Sequence, residues 1–269
     1  MAHFTYDGFS IAYEQRGRKE SARDRPFLLL HGLLFSSKHN HYLADVLAER
    51  GNRVILMDFL GHGDSDQPTH SRHYNMELFA RQALGLMDHL DIPEAVVGGT
   101  SLGANVTLEI TGHAPDRVRG IFNEMPVLER AVIAAASIFV PLTIAYAEAA
   151  PLMRWLGRNV ARVPDLPGLY PDVLRELLSR DPAPSAAVVH GILTGRIAPH
   201  PSDRAKMDVP ALVIGHRRDI LHPLSDAEAL ARELPNSRLV EARNFFELRF
   251  PPNHLSDALA DFLDEVWSR

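Results

Sequence analysis

The sequence predicts an α/β fold with a mostly parallel β-sheet, helices on both faces of the sheet and a helical insertion. Between residues 26 and 124, short apolar runs alternate with segments of helical periodicity. The alternation stops from 125 to 206 and resumes from 207 to the last residue, 269. We therefore expect a core domain of residues 1–124 and 207–269, interrupted by a helical insertion of residues 125–206.

The first half of the chain supplies most of the predicted strands. Asp7 and Gly8 separate two β-prone runs, a pattern that predicts a hairpin. Four apolar runs predict buried strands, PFLLLHG, RVILMD, EAVVGG and VRGIFNE. Helical spacing predicts helices in HYLADVLAERG, in MELFARQALGLMDHLD and from about Ser101 to His113.

The second half begins with the predicted insertion and ends with two more strands. Residues 131–150, AVIAAASIFVPLTIAYAEAA, approach the length of a membrane span, but they include Pro141 and Glu148 and are rich in Ala. We expect a buried or semi-buried helix there and no integral membrane segment. After residue 206, VPALVIGH and SRLVEA predict strands, while DAEALARELP and LSDALADFLDEVW predict helices.

Composition narrows the function classes. The formal net charge is −6 and Lys and Arg form no cluster, which argues against a nucleic-acid partner and favours a small molecule. The chain has no Cys, so thiolate catalysis and disulfides are excluded. The start, MAHFTYDGFS, lacks the basic and apolar pattern of a signal peptide, and a cytoplasmic location is expected.

One short motif carries the chemistry. Gly99-Thr100-Ser101-Leu102-Gly103 matches G-x-S-x-G, with an apolar strand before it and a helix after it. Small residues at such a sharp turn leave room for the neighbouring strand and helix and raise the serine hydroxyl above the sheet. A helix cap or a phosphate cradle would also use small residues and Ser, but the chain has no G-x-G-x-x-G and no P-loop lysine.

Four motifs in order give the chain a resemblance to the α/β-hydrolase family: LLLHG, MDFLGHGDSD, GGTSLGA and VPALVIGHRRDILHP. The resemblance runs along nearly the whole chain and implies an eight-stranded sheet with a helical cap. By that resemblance Ser101 is the nucleophile, Asp219 is the acid, and the backbone amides of Leu33 and Leu102 form an oxyanion hole. Glu124 is a rival acid, because some members of the family carry the acid at the end of that strand.

The catalytic histidine is the main departure from the family pattern. The resemblance places it near Phe245, where the sequence EARNFFELRF contains no His. His254 keeps the family order of serine, acid and histidine, and we predict it as the base. His222, in DILHP, is the alternative base if it reaches Ser101 within about 3.2 Å.

The resemblance also makes residues 125–206 a cap over the serine. Their apolar run predicts a pocket that favours an apolar acyl or alcohol group. The chain has no H-E-x-x-H motif, and we expect neither a metal site nor a cofactor.

Two functions from different classes follow. The first is a serine hydrolase that cleaves a carboxylic ester or thioester through an acyl-enzyme on Ser101. The alternative is a catalytically degenerate member that binds a small molecule, because the usual histidine position holds another residue.

Overall fold

The computed structural model describes residues 1–17, 24–160, 175–176, 178–217, 219–244, 247–250 and 252–269. Its strands are β1 (Ala2–Tyr6), β2 (Phe9–Arg16), β3 (Pro26–Leu30), β4 (Arg53–Met57), β5 (Ala95–Thr100), β6 (Val118–Glu124), β7 (Ala211–His216) and β8 (Ser237–Ala242). They form one eight-stranded sheet in the order β1-β2-β4-β3-β5-β6-β7-β8. β1 pairs antiparallel with β2 and β2 pairs antiparallel with β4, whereas β3 to β8 run parallel to one another. The predicted fold class is confirmed.

The helices of the core lie on both faces of this sheet. They are α1 (His41–Glu49), α2 (Met76–His89), α3 (Leu102–His113), α8 (Leu224–Glu233) and α9 (His254–Ser268). Because successive strand residues point to opposite faces, Leu28 and Leu30 of β3 join one buried apolar cluster while Phe27 and Leu29 join another. The first cluster packs under α2, α3 and α8, and the second under α1 and α9. Burial of β3 on both faces explains its unbroken apolar sequence.

The predicted hairpin joins β1 to β2. Tyr6 pairs with Phe9, and the two residues between them take positive φ angles, 48° at Asp7 and 81° at Gly8. A two-residue turn of this kind matches the twist of the strands and favours Asp-Gly.

Between β6 and β7 the described chain is helical. It contains α4 (Ala131–Glu148), α5 (Ala150–Val160), α6 (Pro182–Thr194) and the single turn α7 (Pro201–Arg204). Residues 161–174 of the predicted insertion lie outside the described residues. The limits 125 and 206 of a separate cap stay a prediction.

Helix α4 is the semi-buried one of the two expected forms, with one side of the helix exposed. Its inner side includes the buried Ala135 and Tyr146, but Ile133 is 78% exposed and Ile144 57% exposed on the outer side. One face of α4 packs against α5 and α6, so a uniformly apolar sequence leaves apolar side chains of the other face in solvent. Among the described helices, α4 is the one long and apolar enough to span a membrane, by length and composition alone.

Candidate active site

Ser101 lies at a sharp turn between β5 and α3. Its φ of 54° falls in the left-handed region that non-glycine residues rarely adopt. The turn is tight: a Cβ on Gly99 or on Gly103 would lie 2.5 Å from the carbonyl oxygen of Leu30. Both glycines are therefore required for close packing of β5 and α3 against β3. The G-x-S-x-G motif forms the strand-turn-helix that its spacing predicts.

His222 is the histidine that contacts this serine. Its Nε2 lies 2.9 Å from Ser101 Oγ, and its Nδ1 lies 3.0 Å from Asp219 Oδ2. With Nδ1–H donating to the carboxylate, Nε2 is left as the acceptor for the serine hydroxyl. The three side chains thus form a continuous hydrogen-bonded relay from hydroxyl to carboxylate.

One loop after β7 carries both the acid and the histidine of this relay. Asp219 Oδ1 accepts hydrogen bonds from the backbone amides of Leu221 at 2.8 Å and of His222 at 2.9 Å. The carboxylate therefore shapes the turn that presents the imidazole to it. Burial raises the pKa of Asp219, but the hydrogen bonds from His222 and Leu221 outweigh burial and leave the pKa below its ordinary value.

His254, the base that the family order favoured, lies elsewhere. It is the first residue of α9, its side chain is 54% exposed, and its Nδ1 lies 3.4 Å from Glu247 Oε1. Asn253 caps the helix by accepting from the amides of Leu255 and Ser256. This cap makes His254 an exposed first-turn residue facing Glu247. Phe245, the expected place of the histidine, lies outside the described residues.

Glu124, the rival acid, is fully buried at the end of β6. Its Oε2 accepts hydrogen bonds from Thr100 Oγ1 and from Arg249 Nη2, and its Oε1 lies 3.3 Å from His216 Nε2. The structure therefore places Asp219, and not Glu124, against the His222 ring. Sequence analysis did not single out Arg249, since only the folded chain brings it to β6.

The two leucines whose amides are assigned to the oxyanion hole lie near the serine. Leu102 begins α3, so its N–H has no acceptor within the helix. Leu33 follows Gly32, whose Cβ position would lie 3.8 Å from Ser101 Cβ, and both leucines line the same cavity as Ser101.

His31 holds the loop that precedes Leu33. Its Nδ1–H donates to the carbonyl of Gly32 at 2.8 Å, and its Nε2 accepts from the amide of Phe59 at 3.0 Å. Burial lowers the pKa of His31, which keeps the ring neutral and both hydrogen bonds in place.

An apolar cavity lies above Ser101, and the empty space in it is about 470 Å³ with open solvent included. Its polar lining side chains are those of Ser101, Asn105 and His222, and the rest are apolar. The insertion contributes Ala135 and Phe139 from α4 and further side chains from α6.

Asn105 ties the insertion to the helix that follows the serine, a role the sequence analysis missed. Its Nδ2 donates to the carbonyls of Val127 at 2.7 Å and Ile197 at 2.8 Å, and its Oδ1 accepts from the amide of Val127 at 3.0 Å. Both chain connections to the insertion are thus fixed to α3. The sequence signal for this role was a polar residue, Asn105, one helical turn after Ser101.

Within the described residues, no group of three or more His, Asp or Glu side chains is arranged to hold a metal ion. His31, His222 and His254 illustrate that histidines of this chain contact different partners: the carbonyl of Gly32, the carboxylate of Asp219 and the carboxylate of Glu247.

Comparison with known proteins agrees with this architecture. The family model for the alpha/beta hydrolase fold matches residues 25–247. The structure is similar to the enol-lactonase of Burkholderia xenovorans LB400, with a TM-score of 0.77 and 19% identity over 100% of both chains. It is also similar to a thermophilic esterase of Thermogutta terrifontis, with a TM-score of 0.74 and 20% identity over 98% of this chain and 97% of that one.

Sequence relatives match more locally. The bifunctional epoxide hydrolase 2 of Mus musculus is 33% identical over 93 residues, which are 35% of this chain and 17% of that protein. Matches to two other curated relatives span 38% and 25% of their lengths. These relatives carry the names of different enzymes, whereas the family match covers residues 25–247. The chain belongs to the alpha/beta hydrolase fold family.

Proposed function

We propose that the protein is a serine hydrolase that cleaves carboxylic esters or thioesters, with Ser101 as nucleophile, His222 as base and Asp219 as acid. The observation that carries the proposal is the relay in which His222 lies 2.9 Å from Ser101 Oγ and 3.0 Å from Asp219 Oδ2. Both distances are in the range of about 2.6–3.2 Å for catalytic proton transfer.

The first half-reaction acylates the enzyme. Ser101 Oγ attacks the carbonyl carbon of the ester while its proton passes to His222 Nε2, and the carbonyl oxygen becomes an oxyanion. The amides of Leu33 and Leu102 donate to that oxyanion. When the intermediate collapses, the bond to the leaving oxygen or sulfur breaks, and His222 returns its proton to the leaving group.

The second half-reaction releases the acid. A water molecule gives a proton to His222 and attacks the acyl carbon, the bond to Ser101 Oγ breaks, and the proton returns to the serine. Asp219 stabilises the imidazolium in both steps and holds the ring so that Nε2 faces the serine. The depressed pKa of Asp219 keeps the carboxylate charged for that role.

The cavity favours a substrate with an apolar acyl or alcohol group. Phe139, Ile192 and other apolar side chains surround the polar groups of the relay. Such a lining binds hydrocarbon and leaves orientation to a few polar atoms. The likeness to an enol-lactonase and an esterase is compatible with ester bonds as the substrate class.

The alternative, a catalytically degenerate protein that binds a small molecule, follows from the absence of a histidine near Phe245, where the family carries its base. It requires that neither candidate histidine reaches Ser101, and the contact made by His222 weighs against it. The binding role predicts no turnover and no covalent intermediate.

The test is hydrolysis of p-nitrophenyl acetate, butyrate and octanoate, followed by acid quench and intact-mass analysis. Wild type should turn over and show an acyl adduct, whereas Ser101→Ala should lose about 10³-fold or more in kcat and show none. Ser137→Ala, at an exposed serine on α4, is the matched control and should retain activity. Equal rates in wild type and Ser101→Ala would overturn the proposal.

A further inference from the structure

The Glu124 carboxylate lies where four segments meet at the carboxyl edge of the sheet. It stands at the end of β6, while Thr100 ends β5 and His216 ends β7. The fourth segment is the turn Glu247–Arg249 after β8, which supplies Arg249. Side-chain contacts from all three neighbouring segments converge on this one buried carboxylate.

These contacts fix Thr100, which precedes Ser101, and Glu124, whose carbonyl oxygen accepts from the Ser101 amide. Arg249 Nη2 donates to Thr100 Oγ1 at 2.7 Å, and that hydroxyl in turn donates to Glu124 Oε2 at 2.6 Å. The amide of Ser101 donates to the carbonyl oxygen of Glu124 at 2.9 Å. A residue with a φ of 54° keeps that strained conformation only when its surroundings fix it.

The same carboxylate faces the strand that leads to the acid and the base. His216 Nε2 lies 3.3 Å from Glu124 Oε1, and His216 comes three residues before Asp219. Glu124 thus contacts both the strand that leads to the Ser101 turn and the strand that leads to the loop of Asp219 and His222.

The negative charge of Glu124 is paired with the positive charge of Arg249. Burial raises the pKa of Glu124, but the Arg249 guanidinium, His216 and the Thr100 hydroxyl lower it to about 2. Glu124 is therefore an anion paired with a cation, and it has no proton to exchange at neutral pH.

We propose that Glu124, neutralised by Arg249, is a positioning residue that fixes the turn of Ser101 relative to the loop of Asp219 and His222. The inference rests on the proposed function, because it assigns a role in that same relay. In the family resemblance, the segment after β8 carries the catalytic base. In this chain that segment supplies Arg249, and the base comes from the loop after β7.

The Glu124–Arg249 pair predicts the direction in which the pH dependence of Ser101 reactivity moves when the pair is broken. Glu124→Gln removes an anion from this buried site, so the positive charge that forms when Ser101 gives up its proton is less well stabilised, and the acid limb of the reaction rate should move to lower pH. Within the part of the chain that the structure describes, further titratable groups near these residues include Asp219 beside His222, His216 beside Glu124, and His39. The pKa of His39 is lowered to about 4 by burial, with Arg249 among the further causes.

A covalent probe measures this effect without turnover. The rate at which an alkyl p-nitrophenyl phosphonate modifies Ser101 is followed by intact mass from pH 4 to 9. We expect the acid limb of Glu124→Gln to lie about half a pH unit or more below that of wild type. The double variant Glu124→Gln/Arg249→Met removes both charges and should return the midpoint to the wild-type value.

Arg204→Met is the matched control for loss of a buried ion pair. Arg204 is fully buried and bonded to Glu233 and Glu129, away from the relay. Its replacement should lower thermal stability and leave the acid limb unmoved. If the acid limb of Arg204→Met moved as far as that of Glu124→Gln, the shift would reflect a general loss of stability, and the positioning role would be overturned.

Thr100→Val supplies a test that leaves every charge in place, and it applies even where Glu124→Gln does not fold. It should slow modification at the alkaline plateau by about fivefold or more without moving the midpoint, and Thr100→Ser should restore the rate.

The two proposals fail in different ways. An unmodified wild-type Ser101 contradicts the proposed function, together with the role that rests on it. The positioning role alone is overturned if the phosphonate modifies Ser101 of the wild type, the acid limb is the same in Glu124→Gln, and the plateau rate is the same in Thr100→Val.

Discussion

His222 Nε2 lies 2.9 Å from Ser101 Oγ, although the two residues are 121 positions apart in the chain. The turn shaped by Asp219 brings the imidazole back over the carboxyl edge of β5. Asp219 and His222, the proposed acid and base, therefore come from one short loop, and their mutual geometry depends on few residues.

Asp219→Asn tests the acid with little change in shape. The amide oxygen can still accept from the backbone of Leu221 and His222, but the charge that stabilises the imidazolium is lost. We expect kcat to fall by about 10²–10⁴-fold, with a melting temperature close to wild type. Asp219→Ala also loses the turn and should lower the melting temperature as well. A kcat of Asp219→Asn within threefold of wild type would exclude Asp219 as the acid.

Gly103→Ala tests the packing of the serine turn. The added Cβ would lie 2.5 Å from the carbonyl oxygen of Leu30 and should cost about 1–3 kcal/mol of unfolding free energy. Gly112→Ala, in the same helix, meets nothing nearer than Met207 Cε at 3.6 Å and should be neutral or stabilising by up to about 1 kcal/mol. Urea denaturation measures both variants. Equal effects would show that close approach at Gly103 is not the constraint.

Ala135→Phe tests the apolar cavity. Ala135 lines the cavity from α4, so a larger side chain should exclude the end of a long acyl group. We expect the ratio of kcat/KM for octanoate over acetate to fall at least about tenfold. Ala147→Phe, at an exposed position of the same helix, should leave the ratio unchanged. A preserved ratio in Ala135→Phe would place the acyl group outside this cavity.

The Glu124–Arg249 pair predicts a pH dependence of stability. The folded pKa of Glu124, about 2, lies below the unfolded value of about 4.3. Its contribution is therefore fully present above pH 4.3 and is lost as pH falls towards 2. Between these values, the unfolding free energy of wild type should fall more steeply than that of Glu124→Gln/Arg249→Met. Parallel curves, measured by denaturant titration at each pH, would contradict the depressed pKa.

Much of the architecture was predictable because its causes are local. Each buried parallel strand has an apolar run, the hairpin has Asp7-Gly8, and the serine turn has glycines at fixed offsets. The exposed side of α4 was not predictable, because a run that is apolar all round does not reveal how many of its faces are covered.

The sequence does not show which histidine reaches Ser101, because that contact depends on loop conformation. The order of motifs favoured His254, yet the cap at Asn253 leaves that residue exposed on α9. The spacing Asp219-x-x-His222 contained the relevant signal, since a carboxylate that caps a turn can also meet the side chain three residues on. Arg249 meets Glu124 across 125 positions, and no local pattern indicates such a contact.

The most direct test of the account is kcat for p-nitrophenyl butyrate in His222→Ala and His254→Ala, prepared and assayed side by side with wild type. If His222 is the base, His222→Ala should lose about 10³-fold or more in kcat, and His254→Ala should stay within twofold of wild type. A large loss in His254→Ala, with activity kept in His222→Ala, would contradict the assignment of the base.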